Sequence, residues 1–376
     1  MNAVEPFLID IPEHQLGDLR SRLARTRWPT PVAVPAWDDG TSLDYLRDLC
    51  RYWEHDFDWR KQERKLNALP QFRATVDKLG IHFVHARGNG PEPFPLVLTH
   101  GWPSCFFELA KLIPLLTDPA AHGGAPADAF DVVVPSLPGF GFSDIPREPF
   151  ASLRVPQIWT ELMRGLGYDR FGAHGGDLGG GVTARLGQFH PDAVAGIHVT
   201  NVYGEVSHGS ATDEERSYLA AVEEWERTEG AYGAIQGTRP QTLAAGLADS
   251  PAGLASWIVE KYRAWSDCGG DIESVFSKDD LLTNITIYWV TGTIGSSFRP
   301  YWDSRNNASP LPWVPIEVPC GVAVFPRDIA RPPRSFAERS YNITRWTEMP
   351  RGGHFAAMEQ PETLAAEIRA FFRSLR

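Results

Sequence analysis

Between Phe171 and Gly181 the chain reads Phe-Gly-Ala-His-Gly-Gly-Asp-Leu-Gly-Gly-Gly, which sets one carboxylate, Asp177, between a predicted strand and a predicted helix with glycine on both sides. Small residues are what a sharp turn needs, because its backbone is strained and pressed against its neighbours. A carboxylate raised on such a turn is placed for nucleophilic attack. Two other uses share these residue types, a glycine-rich phosphate cradle and a plain helix N-cap. No Gly-x-Gly-x-x-Gly register fits the stretch, and an acidic side chain at the turn repels a pyrophosphate. Three further segments follow predicted strands and carry polar groups: His100-Gly-Trp-Pro103, Phe325-Pro-Arg-Asp328 and Arg351-Gly-Gly-His-Phe355.

The turn around Asp177 resembles the nucleophile elbow of α/β-hydrolases, with Asp where a serine hydrolase carries Ser. In that frame His100-Gly-Trp-Pro103 stands where a backbone N–H enters the oxyanion hole, and Trp102 and Leu178 are the expected donors. Alone, the segment is an ordinary turn with a buried aromatic; its order and distance ahead of the elbow raise it. A single loop histidine is usually a surface residue. His354 is promoted by its place after the last predicted strand and before the final helix. Asp328 directly follows the predicted strand Gly321 to Phe325, so the chain order is Asp177, Asp328, His354, which is the nucleophile, acid, base order of this fold.

The nucleophile type restricts the substrate. A carboxylate attacking an ester or amide forms an anhydride and has no advantage over serine, whereas attack on saturated carbon forms an alkyl ester that water can cleave. The second step needs a base, His354, with Asp328 fixing the imidazole and stabilising its cation. Two leaving groups suit this machinery: an epoxide oxygen, which wants a proton, and a halide, which wants weak N–H donors.

Over nearly its whole length the chain resembles the epoxide hydrolases of the microsomal and juvenile-hormone type, as a soluble, bacterial-like member. The matching pieces are Trp28-Pro29, Trp59-Arg60, His100-Gly-Trp-Pro103, Pro135-Ser-Leu-Pro-Gly-Phe-Gly-Phe-Ser143, Gly175-Gly-Asp177, Asp249-Ser-Pro-Ala-Gly-Leu254, Tyr288-Trp289 and Arg351-Gly-Gly-His-Phe-Ala-Ala357. The resemblance implies hydrolysis of an epoxide to a vicinal diol through an ester on Asp177. It also implies an α/β-hydrolase fold with a helical cap insertion and an N-terminal wrapping region. Two cap tyrosines protonate the epoxide oxygen in that family, and the similar segments here are Gly230-Ala-Tyr232 and Phe298-Arg-Pro-Tyr301. A phenol is a sensible acid, since it keeps its proton at neutral pH and can donate to an oxygen that becomes strongly basic. Two departures stand out: Leu178 where relatives commonly carry Trp after the nucleophile, and Asp328 where the microsomal type usually has Glu. A haloalkane dehalogenase and a non-catalytic binding protein of the same fold are the competing readings.

These residues need a frame that brings them together. From Ile81 onward short β-rich runs alternate with helical periods, the pattern of a mostly parallel sheet with helices on both faces. The predicted strands are Ile81 to Ala86, Leu96 to Thr99, Asp131 to Pro135, Arg170 to Ala173, Val194 to Val199, Gly321 to Phe325 and Ile343 to Thr347. Helices are expected over Phe106 to Leu116, Val155 to Leu166, Gly179 to Phe189 and Pro361 to Phe372. The expected division is a wrapping region of short helices and turns over 1–80, a core over 81–201 and 316–376, and an all-helical cap over 202–315 with helices at Asp213 to Arg227 and Gly253 to Trp265. Ligand sites in such sheets lie beyond the carboxyl ends of the strands, so this cap would roof the site. Its Trp225, Trp257, Trp265, Trp289 and Trp302 point to a bulky, apolar epoxide.

Composition removes other classes. With 376 residues, 43 % hydrophobic, and a net charge of −11, the chain can bury a full core and is no basic nucleic-acid binder. No apolar stretch reaches the roughly 18 to 20 residues of a membrane span. No secretory signal is visible over Met1 to His14, so a cytoplasmic location without a membrane anchor is expected. Cys50, Cys105, Cys268 and Cys320 lack paired spacing, and His82 and His85 differ by three on a predicted strand, so they point to opposite faces. No metal and no cofactor are expected, and a homodimer is left open.

Overall fold

In the computed structural model, which describes residues 1, 3–31, 33–147, 152–202, 212–306, 314–329 and 331–376, the apolar runs line up into one sheet. Its strands are β1 (Glu5–Pro6), β2 (Gln71–Val76), β3 (Leu79–Ala86), β4 (Phe94–Thr99), β5 (Phe130–Pro135), β6 (Phe171–Gly175), β7 (Val194–Val199), β8 (Ile316–Val324) and β9 (Tyr341–Glu348). They pair in the order β1, β2, β3, β5, β4, β6, β7, β8, β9. From β5 to β9 the pairing is parallel, while β1, β2 and β3 add an antiparallel edge. Side chains alternate across a strand. Leu96 and Leu98 of β4 and Val132 and Val134 of β5 therefore enter one core, while Val97 and Val133 enter the other with Ala173, Ile197 and Val199. A sheet buried on both faces needs such unbroken apolar runs.

Helices α1 (Glu13–Ala24), α2 (Leu43–His55) and α3 (Trp59–Asn67) precede the main strands, and α4 (Leu112–Thr117), α5 (Val155–Gly165) and α6 (Asp177–Phe189) run between them. After β7 come α7 (Asp213–Glu229), α8 (Ala231–Thr238), α9 (Pro240–Asp249), α10 (Pro251–Trp265), α11 (Lys278–Thr291), α12 (Ile294–Ser297) and α13 (Arg299–Asn306), with no strand among the described residues. Residues 203–211 and 307–313 of the expected cap lie outside the described residues. Helices α14 (Arg334–Ala337), α15 (Ala356–Glu359) and α16 (Pro361–Phe372) complete the chain.

The early segment is bonded to helices far along the chain. Leu46, Leu49, Cys50 and Trp53 recur at helical spacing and bury one face of α2, whose first turn is capped by Ser42. Trp53 Nε1 then donates to Thr286 Oγ1 of α11 at 3.0 Å, Thr41 Oγ1 donates to the Ser256 carbonyl of α10 at 2.8 Å, and Arg22 reaches the Asp249 carboxylate of α9 at 2.6 Å. The N-terminal quarter is thus fastened to the helices that follow β7.

Four elements differ most from expectation. Strands β1 and β2 lie in the region expected to hold only helices and turns; the hairpin from β2 to β3 turns at Asp77 and Lys78, both at positive φ, where no glycine marks the turn. The helix expected over Phe106 to Leu116 splits into a 3₁₀ turn at Phe106–Leu109 and α4, because Pro114 is tolerated only in the first turn of a helix. Strand β8 begins at Ile316 instead of Gly321, with its register shifting at Pro319, which has no N–H to give the ladder. Among the described residues, no helix is long and apolar enough to cross a membrane.

Candidate active site

Strand β6 ends at Gly175 and α6 begins two residues later, so the backbone reverses within Gly176 and Asp177. Asp177 takes φ +51°, in the left-handed region that L side chains avoid, at a typical cost of about 1–3 kcal/mol. The neighbours leave no room for side chains: a Cβ at Gly179 would lie 2.0 Å from the Thr99 carbonyl oxygen, and one at Gly101 would lie 2.5 Å from Cβ of Asp177. Gly175, Gly176 and Gly179 of the turn, and Gly101 beside it, are therefore packing requirements, whereas a Cβ at Gly181 would meet open space.

Each oxygen of the raised carboxylate has its own partner. Oδ1 accepts the Trp102 backbone N–H at 2.8 Å, and Oδ2 lies 3.4 Å from Nε2 of His354. The loop after β9 presents His354, whose Nδ1 lies 2.7 Å from Oδ1 of Asp328, just beyond β8. The sequence-predicted Asp177, Asp328, His354 and Trp102 thus meet at one place. Leu178 sits in the first turn of α6, where backbone N–H groups have no acceptor within the helix. Burial works against charge on His354, yet the Asp328 carboxylate, and Asp177 with it, outweighs burial and holds the imidazole well above its usual range.

Several participants carry no sequence signature. Asn201, just past β7, accepts the Asp177 backbone N–H at 2.7 Å and donates from Nδ2 to Oδ2 of Asp328 at 2.8 Å. Its place at the carboxyl end of a parallel strand is the signal that marks it. Glu359 accepts the N–H groups of Asp267 and Gly353 on Oε2, at 2.8 and 2.9 Å, and that of Phe355 on Oε1 at 2.9 Å, bracketing His354. Burial pushes its carboxyl up to about 7, although those three amides pull it down. Burial likewise pushes Glu108 up to about 7; the positive His354 draws it down, Asp177 drives it up, and the Gly101 amide and Ser104 hydroxyl draw it down again.

The helices after β7 bring aromatic rings over this cluster. Tyr232 of α8 stacks on the Trp102 ring at 5.3 Å with an interplanar angle of 7°, and Tyr301 of α13 meets Trp102 edge-on at 5.9 Å and Tyr232 at 5.8 Å. Trp265, the last residue of α10, lies 5.0 Å from Tyr232 and 5.3 Å from the His354 ring, and its carbonyl accepts the His354 backbone N–H at 2.8 Å. Burial, with Asp177 adding to it, raises the Tyr232 phenol above its ordinary value, and a hydrogen bond with Tyr301 offsets part of the rise. Tyr232 therefore keeps its proton at neutral pH. Tyr262 and Tyr288 have structural partners instead, the hydroxyl and carbonyl of Ser104, each at 2.7 Å.

Comparison with known proteins gives this arrangement a family. Residues 4–109 match the family model described as epoxide hydrolase N terminus, and residues 95–255 match that of the alpha/beta hydrolase fold. A putative epoxide hydrolase of Stigmatella aurantiaca is 46 % identical over 100 % of this chain and 86 % of its own length. Epoxide hydrolase 1 of Oryctolagus cuniculus is 36 % identical over 98 % of this chain and 88 % of its own. The crystal structure of juvenile hormone epoxide hydrolase from Bombyx mori superposes with a TM-score of 0.86 at 28 % identity, covering 100 % of this chain and 95 % of that one. The Aspergillus niger epoxide hydrolase structure gives 0.87 at 29 %, covering 100 % and 97 %. A strained Asp177 facing His354, set in an α/β-hydrolase fold and matched along its whole length by such relatives, makes this chain a member of the epoxide hydrolase family.

Proposed function

We propose that this chain converts an epoxide to a vicinal diol through an ester formed on Asp177. Oδ2 of Asp177, the oxygen not bonded to the Trp102 amide, attacks a ring carbon. The carbon–oxygen bond of the ring breaks, its electron pair passes to the ring oxygen, and Tyr232 and Tyr301 supply hydrogen bonds and the proton. Water then loses a proton to Nε2 of His354, with Asp328 holding Nδ1, and attacks the carbonyl carbon of the ester. The oxyanion develops on Oδ1, against the N–H groups of Trp102 and Leu178. Collapse releases the second diol oxygen, which takes the remaining proton of the attacking water, and leaves the water oxygen in the Asp177 carboxylate; the proton held by His354 then returns through solvent to the tyrosine that gave one up.

The observation that carries this reading is the placement of both phenols on the Trp102 ring while the amide of the same residue holds the nucleophile. Proton donors at that place suit an oxygen leaving group, which turns strongly basic, better than a halide, which needs no proton. A binding protein would gain nothing from the strain at Asp177. The aromatic walls, including Trp225, Trp265 and Phe298, fit a bulky apolar epoxide. The proposed division is a wrapping region over 1–80, which also lends β1, β2 and the start of β3 to the sheet, a core over 81–201 and 316–376, and a cap over 202–315. The four cysteines, all free and buried, suit the reducing cytoplasm.

The test is intact-mass measurement of His354→Gln incubated with an epoxide panel, beside a single wild-type turnover in ¹⁸O water. A stable protein-plus-substrate adduct and one heavy oxygen in Asp177 are expected. Diol formation with neither adduct nor label rejects the covalent route.

A further inference from the structure

Lysine is almost never buried without a reason, because taking its ammonium out of water is costly and an apolar side chain of similar length fills the same space. Lys261 of α10 is only 5 % exposed. Its Nζ lies 2.5 Å from Glu260, whose side chain is 25 % exposed, and it stands over two rings of the site, 5.0 Å from the Tyr232 centroid and 5.6 Å from that of Trp265. Lys261 and Trp265 are four residues apart on one helix, so they present a single face to Tyr232. The titratable and charged groups set against Tyr232 are Tyr301 from α13, Lys261 with Glu260 behind it from α10, and Asp177 from α6.

Ring opening moves charge in a definite direction. Before it, one negative charge rests on Asp177, held by the Trp102 amide and facing His354. After it, that charge has left the carboxylate and lies on the former epoxide oxygen and the phenols that donate to it. Only interactions stronger in the transition state than in the ground state accelerate a step. A cation over a phenol ring meets this condition, since its attraction grows as the ring takes on phenolate character, and exclusion of water strengthens it.

We propose that Lys261 is a positioning residue for ring opening, acting through Tyr232: its buried ammonium stabilises the negative charge that leaves Asp177 and arrives on the epoxide oxygen and its tyrosine donors. The inference rests on the epoxide reading above. It assigns Lys261 to the first half-reaction alone, because hydrolysis of the ester builds its charge on Asp177 Oδ1, at the Trp102 amide.

The experiment is pre-steady-state kinetics with one epoxide, resolving ester formation from ester hydrolysis, for wild type, Lys261→Met, Lys261→Arg and the double variant Glu260→Gln/Lys261→Met. The double variant removes the orphaned carboxylate along with the cation, and thermal melts verify that each protein is folded. Ester formation should slow about tenfold in both variants that lack the cation, equivalent to about 1.4 kcal/mol, with hydrolysis unchanged and with Lys261→Arg near wild type. Ester formation at the wild-type rate in the folded double variant, or equal slowing of both steps, overturns the role assigned to Lys261. If wild type and His354→Gln form no ester at all, the fault lies with the covalent reading, and the inference falls with it.

Discussion

The carboxamide of Asn201 donates to Oδ2 of Asp328 at 2.8 Å while its oxygen accepts the Asp177 backbone N–H at 2.7 Å, so one neutral side chain joins the strained Asp177 turn to the carboxylate behind His354. Orientation of groups around a reacting centre is commonly set this way, by partners that never touch substrate. Asn201→Ala leaves a carboxylate oxygen and a backbone N–H without these partners, at about 1–3 kcal/mol for each unsatisfied group. Ester hydrolysis should slow roughly 10- to 100-fold, in the range known for loss of such orienting partners. Single-turnover rates within twofold of wild type would count against the bridge.

Tyr232 and Tyr301 share one substrate oxygen in the proposed mechanism. Each single change to Phe should slow ester formation about 10- to 100-fold, and the double change should lower it further, while hydrolysis of preformed ester stays near wild type. Stopped-flow fluorescence of the site tryptophans separates the two steps. Slowing confined to hydrolysis would remove the phenols from ring opening.

His354 is held above the ordinary imidazole range, since Asp328 and Asp177 together outweigh burial. An unfolded histidine titrates near about 6.5, so the folded protein binds this proton more tightly than the unfolded chain does. The resulting stability is fully present below about pH 6.5 and is lost as pH rises through the raised folded value. Melting temperatures of wild type should therefore fall relative to His354→Gln across that alkaline window; parallel curves would contradict the shift. Esterification of Asp177 removes one of the two carboxylates, so the pH profile of hydrolysis should show a lower pKa than an NMR titration of His354 in the resting protein.

Glu359 takes three backbone N–H groups around the histidine loop at 2.8 to 2.9 Å. Glu359→Ala strands those donors, with a loss of about 1–3 kcal/mol for each that stays buried. The melting temperature should drop by several degrees and ester hydrolysis should slow more than ester formation. Equal effects on both half-reactions would show the loop to be positioned by something else.

Much of the frame is legible in the sequence because alternating apolar runs and helical periods are strong local signals. Val194–Val199 and Pro361–Phe372 have the same limits in expectation and structure. Asp177, Asp328 and His354 stand out for a different reason: the ends of parallel strands are where chemistry gathers, and topology singles out a few positions. The residues that escape notice act through partners distant in the chain. Asn201 reads as a turn residue, and Glu359 as a helix-end acid whose partners are backbone amides. Lys261 reads as a solvated helix residue until Tyr232 is folded onto it. Strand β2 is lost for a local reason, its turn being made by Asp77 and Lys78 without glycine.

The bonds from Arg22, Thr41 and Trp53 to α9, α10 and α11 have a kinetic corollary. Helices α9, α10 and α11 cannot swing away together as a flap without first breaking those straps. If those three helices stay in place through the cycle, passage of reactant and product is left to smaller side-chain movements, and turnover should decline with the girth of the molecule admitted more than with solvent viscosity.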